Sequence, residues 1–218
     1  MKKLIITHFN PDLDAIGSCW LLQRFDPDFK KAQIEFVAAG ETYQNQKADV
    51  KEEVVHVDTG MGKFDHHQRE ESTCAMKLVF NYLKSKYDHL KNDKALIQLI
   101  EVVRQLDHFE EVLWSEPDAD RYGFLLDQIL NGLKNAGRAN DYDLIDLGFM
   151  GLDGVYSNLK IKNKAREKLK KGVEFDTRWG RAIGCLTQTN EVLKLGQKLG
   201  FILVVQKDAK TEHVRIKG

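Results

Sequence analysis

The first part of the chain alternates between two hydrophobic patterns. Short apolar runs at residues 4–7, 34–38 and 54–58 have the β-branched content and polar boundaries of buried strands. The apolar positions that follow the first run keep helical spacing: Ile16, Trp20, Leu21 and Leu22. Strand, helix and strand in this order favour right-handed crossovers, so the sequence predicts a parallel sheet with helices packed on it.

Beyond residue 72 the spacing of apolar positions becomes helical. Helices are predicted over residues 76–87, 96–108, 124–133 and 143–171. After Gly172, strands are predicted over 181–187, 201–205 and 213–216, with a helix over 191–199. The sequence therefore predicts an α/β fold, a parallel sheet flanked by helices, with a small C-terminal α+β domain. We place the boundary so that residues 1–172 carry the chemistry and residues 173–218 form the small domain.

Composition narrows the classes of partner. Lys and Arg together number 33, as do Asp and Glu, so there is no overall basic field of the kind that long duplex nucleic acid requires. Three cysteines far apart favour a reducing compartment over a disulfide framework. The apolar run at the start is too short for a signal peptide, and no stretch reaches transmembrane length. A cytoplasmic location without a membrane partner is expected.

Candidate metal ligands follow the predicted strands. They are His8, Asp12 and Asp14 after the first strand, Asp58 at the end of the third, and Asp65, His66 and His67 in the next loop. Asp107, at the end of a predicted helix, is a fourth contributor. Ligands of open α/β sheets bind where the strands end. Oxygen and imidazole donors together suit Mn²⁺, Fe²⁺, Co²⁺ or Zn²⁺ better than Ca²⁺. Each residue alone is equally consistent with a turn or a solvated loop, and it is their joint occurrence that favours a metal.

These motifs resemble those of the DHH phosphoesterase superfamily. The resemblance rests on residues 8–18, on Asp58 and on Asp65-His66-His67, while residues 64–69 also resemble the melanocyte-proliferating-gene exonuclease family. It implies two Mn²⁺ ions, with Mg²⁺ or Co²⁺ as alternatives. The implied ligands are His8 and Asp12 for one ion, Asp14, His66 and Asp107 for the other, and Asp58 as the bridge. His67 would face a substrate phosphate, and Asp65 would orient the histidines.

The resemblance also implies an activity. It predicts a metal-dependent phosphoesterase, a hydrolase of the nuclease type, that cleaves phosphodiester or phosphoanhydride bonds in a nucleotide or short single-stranded oligonucleotide. Asp58 and His67 would be its catalytic residues, and residues 173–218 would bind substrate, although they lack the glycine-rich segment usual in that superfamily. The alternative is a non-catalytic metal- or nucleotide-binding module derived from such an enzyme. The oligomeric state stays open, a homodimer included.

Overall fold

The computed structural model describes residues 3–218, which form two compact units. The first unit ends at Gly154 and the second begins at Val155, so the division falls inside the longest helix. Gly172, where the sequence analysis places the boundary, comes just after the end of that helix, whereas the compact units divide within it. The separate roles expected for the two parts stay predictions.

The first unit contains a three-stranded parallel sheet. Its strands are β1 (Leu4–His8), β2 (Gln33–Val37) and β3 (Val54–His56), in the order β2-β1-β3. β1 is central, and its Ile5 lies opposite Ile34 of β2 and Val55 of β3. Strands of a parallel sheet are covered on both faces, which explains the continuous apolar run of β1. The predicted parallel sheet flanked by helices is confirmed.

Helices cover this sheet and fill the rest of the unit. They are α1 (Leu13–Phe25), α2 (Ala75–Lys86), α3 (Lys94–Asp107), α4 (Leu126–Asn135) and the first part of α5 (Asp141–Leu169). α1 is buried from Leu13 to Leu22 because it packs against β1, α2 and α3. This all-round burial explains why its sequence is apolar on every side rather than amphipathic.

The second unit contains a mixed four-stranded sheet. Its strands are β4 (Val173–Thr177), β5 (Gly180–Leu186), β6 (Leu203–Lys207) and β7 (Val214–Lys217), in sequence order. β5 and β6 are parallel and joined by α6 (Glu191–Lys198), whereas the two outer pairs are antiparallel. The predicted small α+β region is confirmed. One face of the sheet packs with the end of α5 and with α6 in a core of Ala165, Leu169, Ile183, Cys185, Val192, Leu195, Phe201 and Val204.

Two further expectations concern the compartment. Cys19, Cys74 and Cys185 are all buried and free of disulfide bonds in the described chain. Among residues 3–218, no helix combines the length and the apolar character that crossing a bilayer requires.

Candidate metal centre

The C-terminal ends of β1 and β3 bring the first two candidate ligands together. The two strands stay paired beyond β3, where the Val57 N–H donates to the Ile6 carbonyl at 2.8 Å. His8 and Asp58 follow directly, and His8 Nε2 lies 3.2 Å from Asp58 Oδ2. Asp58 has a left-handed backbone (φ 54°), which aspartate tolerates better than most residues, and its N–H donates to the Phe64 carbonyl at 2.9 Å. Adjacent parallel strands therefore account for this pair.

Helix N-termini position the next two carboxylates. Asp12 is the N-cap of α1, and its Oδ1 accepts from the Ala15 N–H at 2.9 Å. Asp14 lies in the first turn of α1, but its carboxylate accepts from the Ala75 and Met76 N–H groups at 2.7 and 2.8 Å. Asp14 thus caps the start of α2, 61 residues away in sequence, where the helix dipole favours negative charge.

His66 lies at the centre of the cluster. Its Nε2 is 3.4 Å from Asp58 Oδ1, 3.6 Å from Asp107 Oδ2 and 3.8 Å from Asp14 Oδ2. Asp58 Oδ1, His66 Nε2 and Asp107 Oδ2 are all buried, and none has a hydrogen-bond partner among the described residues. Buried polar atoms are nearly always paired, so three unpaired atoms that face one another require an explanation. A cation between them would provide it.

Asp58 lies between two overlapping groups of ligand atoms. Donor atoms of His8, Asp12 and Asp58 all fall within 4.8 Å of one another, and so do those of Asp58, His66 and His67. Asp58 is only 3% exposed. Asp58 therefore belongs to both groups, the one with His8 and Asp12 and the one with His66, and its role as a bridging metal ligand stays a prediction.

Asp65 orients one of the two adjacent histidines. Its buried carboxylate accepts from the Met61 and His67 backbone N–H groups at 2.7 and 3.0 Å. The same carboxylate lies 2.8 Å from His67 Nδ1, so Nδ1–H donates to it and Nε2 stays available. The His67 side chain is 61% exposed, in contrast with 12% for His66. His66 therefore faces the cluster and His67 faces its entrance.

Two further residues, one in the last turn of α3 and one just after it, lie next to the cluster. The sequence analysis assigned no role to either. His108 Nε2 donates to the Thr73 carbonyl at 2.8 Å and lies 3.7 Å from Asp107 Oδ2. Arg104, one turn earlier, is 8% exposed; it donates to Glu110 and Ser72 outside the helix and to Glu101 within it. Adjacency to Asp107 was the only sequence signal for His108, and spacing on α3 was the only one for Arg104.

Crowding changes the pKa values of the carboxylates. Burial and the neighbouring Asp58 strongly raise the pKa of Asp14, and the surrounding protein and Asp58 also raise the pKa of Asp12, although Asp12 itself is exposed to solvent. Burial raises the pKa of Asp107 to about 6. Burial alone would also raise the pKa of Asp58, but the imidazoles of His66 and His8 lower it. Three of the four acids are thus held in an environment that disfavours their charged form.

The histidines respond in the opposite direction. Burial alone would lower the pKa of His8, but its bond to Asp58 and to the Phe9 carbonyl raises it to about 9. The carboxylate of Asp58 beside His66 raises the pKa of that imidazole to about 9 as well. The cluster therefore attracts positive charge, which protons on the histidines or a bound cation can supply. A cation requires both histidines in their neutral form.

Comparison with known proteins identifies the family. The family model described as ChrB, C-terminal domain, matches residues 5–159, more than half of the chain, and the chain belongs to this family. No curated protein and no solved structure matches the chain. The matched range contains every candidate metal ligand named above, and it ends within α5, so β4 to β7 lie outside it.

The family corrects the interpretation of the motifs. The resemblance to the DHH phosphoesterase superfamily and to the melanocyte-proliferating-gene exonuclease family is wrong, because the match is to the ChrB C-terminal domain. The expected phosphodiester or phosphoanhydride hydrolysis, the nuclease class and the derivation from a DHH enzyme are overturned with it. The resemblance was misleading because it rested on a few residues at a sheet edge. Similar side chains can occur at such an edge in proteins of different families.

Proposed function

We propose that this chain is a divalent-metal-binding domain that serves chromate-resistance regulation, with the cluster at the sheet edge as its metal centre. The family is associated with that regulation. The observation that carries the proposal is the convergence of three buried, unpaired ligand atoms: Asp58 Oδ1, His66 Nε2 and Asp107 Oδ2. Asp58 Oδ1 and Asp107 Oδ2 lie 3.4 and 3.6 Å from His66 Nε2, and none of the three atoms has a hydrogen-bond partner among the described residues.

Charge balance supports a divalent ion at this site. Asp12, Asp14, Asp58 and Asp107 can carry up to four negative charges, and without a cation they must keep protons, which the raised pKa values of Asp12, Asp14 and Asp107 favour, or be compensated by His8 and His66. Leaving a buried charge uncompensated is costly, commonly about 3–5 kcal/mol when one partner of a buried pair is missing. Divalent cations would compensate these negative charges and would give the unpaired atoms a partner.

The donor types support a transition metal. Imidazole with carboxylate oxygen suits Mn²⁺, Fe²⁺, Co²⁺ and Zn²⁺, and Mn²⁺ stays the predicted ion, with Mg²⁺ or Co²⁺ as alternatives. His8, Asp12 and Asp58 would hold one side of the centre, and Asp14, Asp58, His66 and Asp107 the other. The charge of the bound ions would neutralise the crowded acids. His67 would remain at the entrance.

The way in which the ligands are distributed supports a regulatory role. They come from the ends of β1 and β3, the loop after β3, the start of α1 and the end of α3. Metal binding therefore links three stretches that are far apart in sequence, residues 8–14, residues 58–67 and residue 107, and stabilises whichever arrangement brings them together. A cytoplasmic location fits the three free, buried cysteines. That the chain is an enzyme, and that it binds a nucleotide or short oligonucleotide, stay predictions.

Calorimetric titration of chelator-treated protein with Mn²⁺ tests the proposal. We expect saturable binding to the wild-type chain and a loss of affinity of at least about 100-fold in Asp58→Asn, because removing a metal ligand should cost no less than removing its supporting partner. Asparagine retains the shape and tolerates the left-handed backbone of this position.

Asp26→Asn is the matched control. Asp26 is another buried aspartate, 1% exposed, but its carboxylate is bonded to Lys86, Tyr82 and Tyr87. This substitution should lower stability and leave Mn²⁺ affinity unchanged. Equal affinity of the wild-type and Asp58→Asn chains for Mn²⁺, or the absence of binding to either, would contradict the proposal.

A further inference from the structure

One face of the sheet of the second unit is covered neither by α6 nor by the end of α5, which pack on the opposite face. The residues on it follow from the register: Val173 lies opposite Gly184, Phe175 opposite Ala182, and Val205 opposite Ile216. Together with Leu186, Leu203 and Val214, these residues form what we call the open face. Ile183, Cys185 and Val204 point the other way and pack with α5 and α6.

The open face is apolar and exposed. Its five large outer side chains are 42% to 71% exposed: Val173, Phe175, Leu186, Val214 and Ile216. Within the described chain, the one charged residue in its register is Lys207 at a corner, next to Leu186 and Val214. Antiparallel edge strands that face water normally alternate apolar-in and polar-out. This sheet does not follow that rule.

The alternation in the two edge strands is reversed. In β4, Glu174 and Asp176 lie on the side that carries the helices, while Val173 and Phe175 lie on the open face. In β7, Arg215 lies on the helix side, where its guanidinium donates to Asn190 in front of α6, and Ile216 lies on the open face. Because register fixes which side chains share a face, this pattern indicates that the two edge strands turn their apolar side chains to the open face and their charged side chains to the helix side.

We propose that the open face is a homodimer interface, in which the sheets of two copies of this chain pack face to face. Sheets pack in this way about 10 Å apart with interdigitating apolar side chains. An apolar face with no carboxylate in its register and a single lysine at its corner can pack against its own copy under a twofold axis without placing like charges at the centre of the interface. It offers no charge pattern that would select a different partner.

The area of the face fits a dimer. With roughly 100 Å² from each of the five exposed side chains, one face presents on the order of 500 Å², at the upper end of what a monomer commonly leaves uncovered. Two copies would then bury on the order of 1,000 Å², the lower limit of specific interfaces. The resulting dimer would be modest in strength and concentration-dependent.

Sedimentation velocity of the full-length chain, from about 1 to 100 μM, tests this proposal. We expect the wild-type protein to shift from monomer to dimer within that range. Phe175→Lys and Ile216→Lys, on opposite edges of the sheet, should each weaken self-association at least tenfold, because the twofold axis would place like charges within the interface. Both residues are exposed, so circular dichroism should show that the variants fold.

Leu113→Lys is the matched control. Leu113 is an apolar residue of the first unit that is 82% exposed, and its replacement should leave self-association unchanged. A wild-type chain that stays monomeric at 100 μM would overturn the proposal and leave the face for another occupant. Dimers that tolerate both lysine variants would overturn it as well, since self-association would then use a different surface.

Discussion

The two sheets of this protein differ in what they leave unsatisfied. In the three-stranded parallel sheet of the first unit the middle of the central strand β1 is buried, and what lacks a partner lies at the edge of the sheet, where Asp58 Oδ1, His66 Nε2 and Asp107 Oδ2 meet. The four-stranded sheet of the second unit has no such cluster at the ends of its strands in the described residues, but an entire face is exposed. The first requires positive charge at a few atoms, and the second requires apolar cover over a broad surface.

The difference determines how each unit would respond to a ligand. A few converging ligand atoms can discriminate among ions, because coordination depends on donor type and geometry. A broad apolar face contributes association free energy in proportion to its area and discriminates little. We therefore expect a metal ion to bind to the first unit only. Self-association of the chain should involve the second unit.

Hydrogen exchange should show the largest effect and separate the two units. At a Mn²⁺ concentration of about 100 times the dissociation constant, binding stabilises the folded first unit by about 2.7 kcal/mol, which corresponds to about 100-fold slower exchange of amides that exchange by unfolding of that unit. We expect this slowing in β1, β3 and the start of α2, and no change in β5 and β6. Mass spectrometry of peptides from both units measures it.

The same hydrogen-exchange measurement can also contradict the expected difference between the two units. Equal slowing in peptides from β1 and β5 would show that the two units respond to metal as one. Slowing confined to β5 and β6 would place the metal in the wrong unit.

The pH dependence of stability gives an intermediate effect. In the metal-free protein the pKa values of His8 and His66 are both raised to about 9. Since the unfolded value is about 6.5, their stabilising contribution is complete below pH 6.5 and is lost as pH rises through 9. As the pH is raised from 7 to 9.5 in chelator, we expect the free energy of unfolding to decrease by on the order of a few kcal/mol. The temperature of the thermal unfolding midpoint should fall with it.

Mn²⁺ should reverse this trend. Metal binding requires both imidazoles in their neutral form, so apparent affinity should rise between pH 6.5 and 9 and protons should be released on binding. His66→Gln, which cannot be protonated, is the control: it should weaken the pH dependence in chelator and leave the part that comes from His8. A midpoint in chelator that does not change across this range would contradict the account.

His67 should show the smallest effect. Its side chain is 61% exposed and its Nδ1 is occupied by Asp65, so it supports the centre from the entrance and does not form it. His67→Ala should lower Mn²⁺ affinity by at most about tenfold, whereas His66→Ala should lower it by at least about 100-fold. Calorimetry on the two variants compares neighbouring histidines directly, and equal losses would show that the assignment of their roles is wrong.

Much of the fold was predictable because its signals are local. The strands around Ile5 and Val55 and the helix around Trp20 lie where the apolar periodicity placed them. β4 was missed because Glu174 and Asp176 make a short edge strand read as a loop. The order of the strands and the open face could not be predicted, since both depend on pairing between distant segments.

The residues that converge in the cluster could be predicted from the sequence, but the hydrogen bonds that position them could not. His8, Asp12, Asp14, Asp58, His66 and Asp107 converge in the structure as the sequence suggested. No sequence signal could reveal that Asp14 caps α2, or that His108 bonds the Thr73 carbonyl, because these contacts span 61 and 35 residues. The family was mistaken for a related reason, since the ligand motifs occupy few positions whereas the ChrB match extends over residues 5–159.

Anomalous diffraction from crystals soaked in Mn²⁺ tests the central claim most directly. We expect an anomalous peak bounded by Asp58, His66 and Asp107, with carboxylate oxygen and imidazole nitrogen as its nearest protein atoms. A map with full Mn²⁺ peaks elsewhere on the protein and none among these three side chains would contradict it.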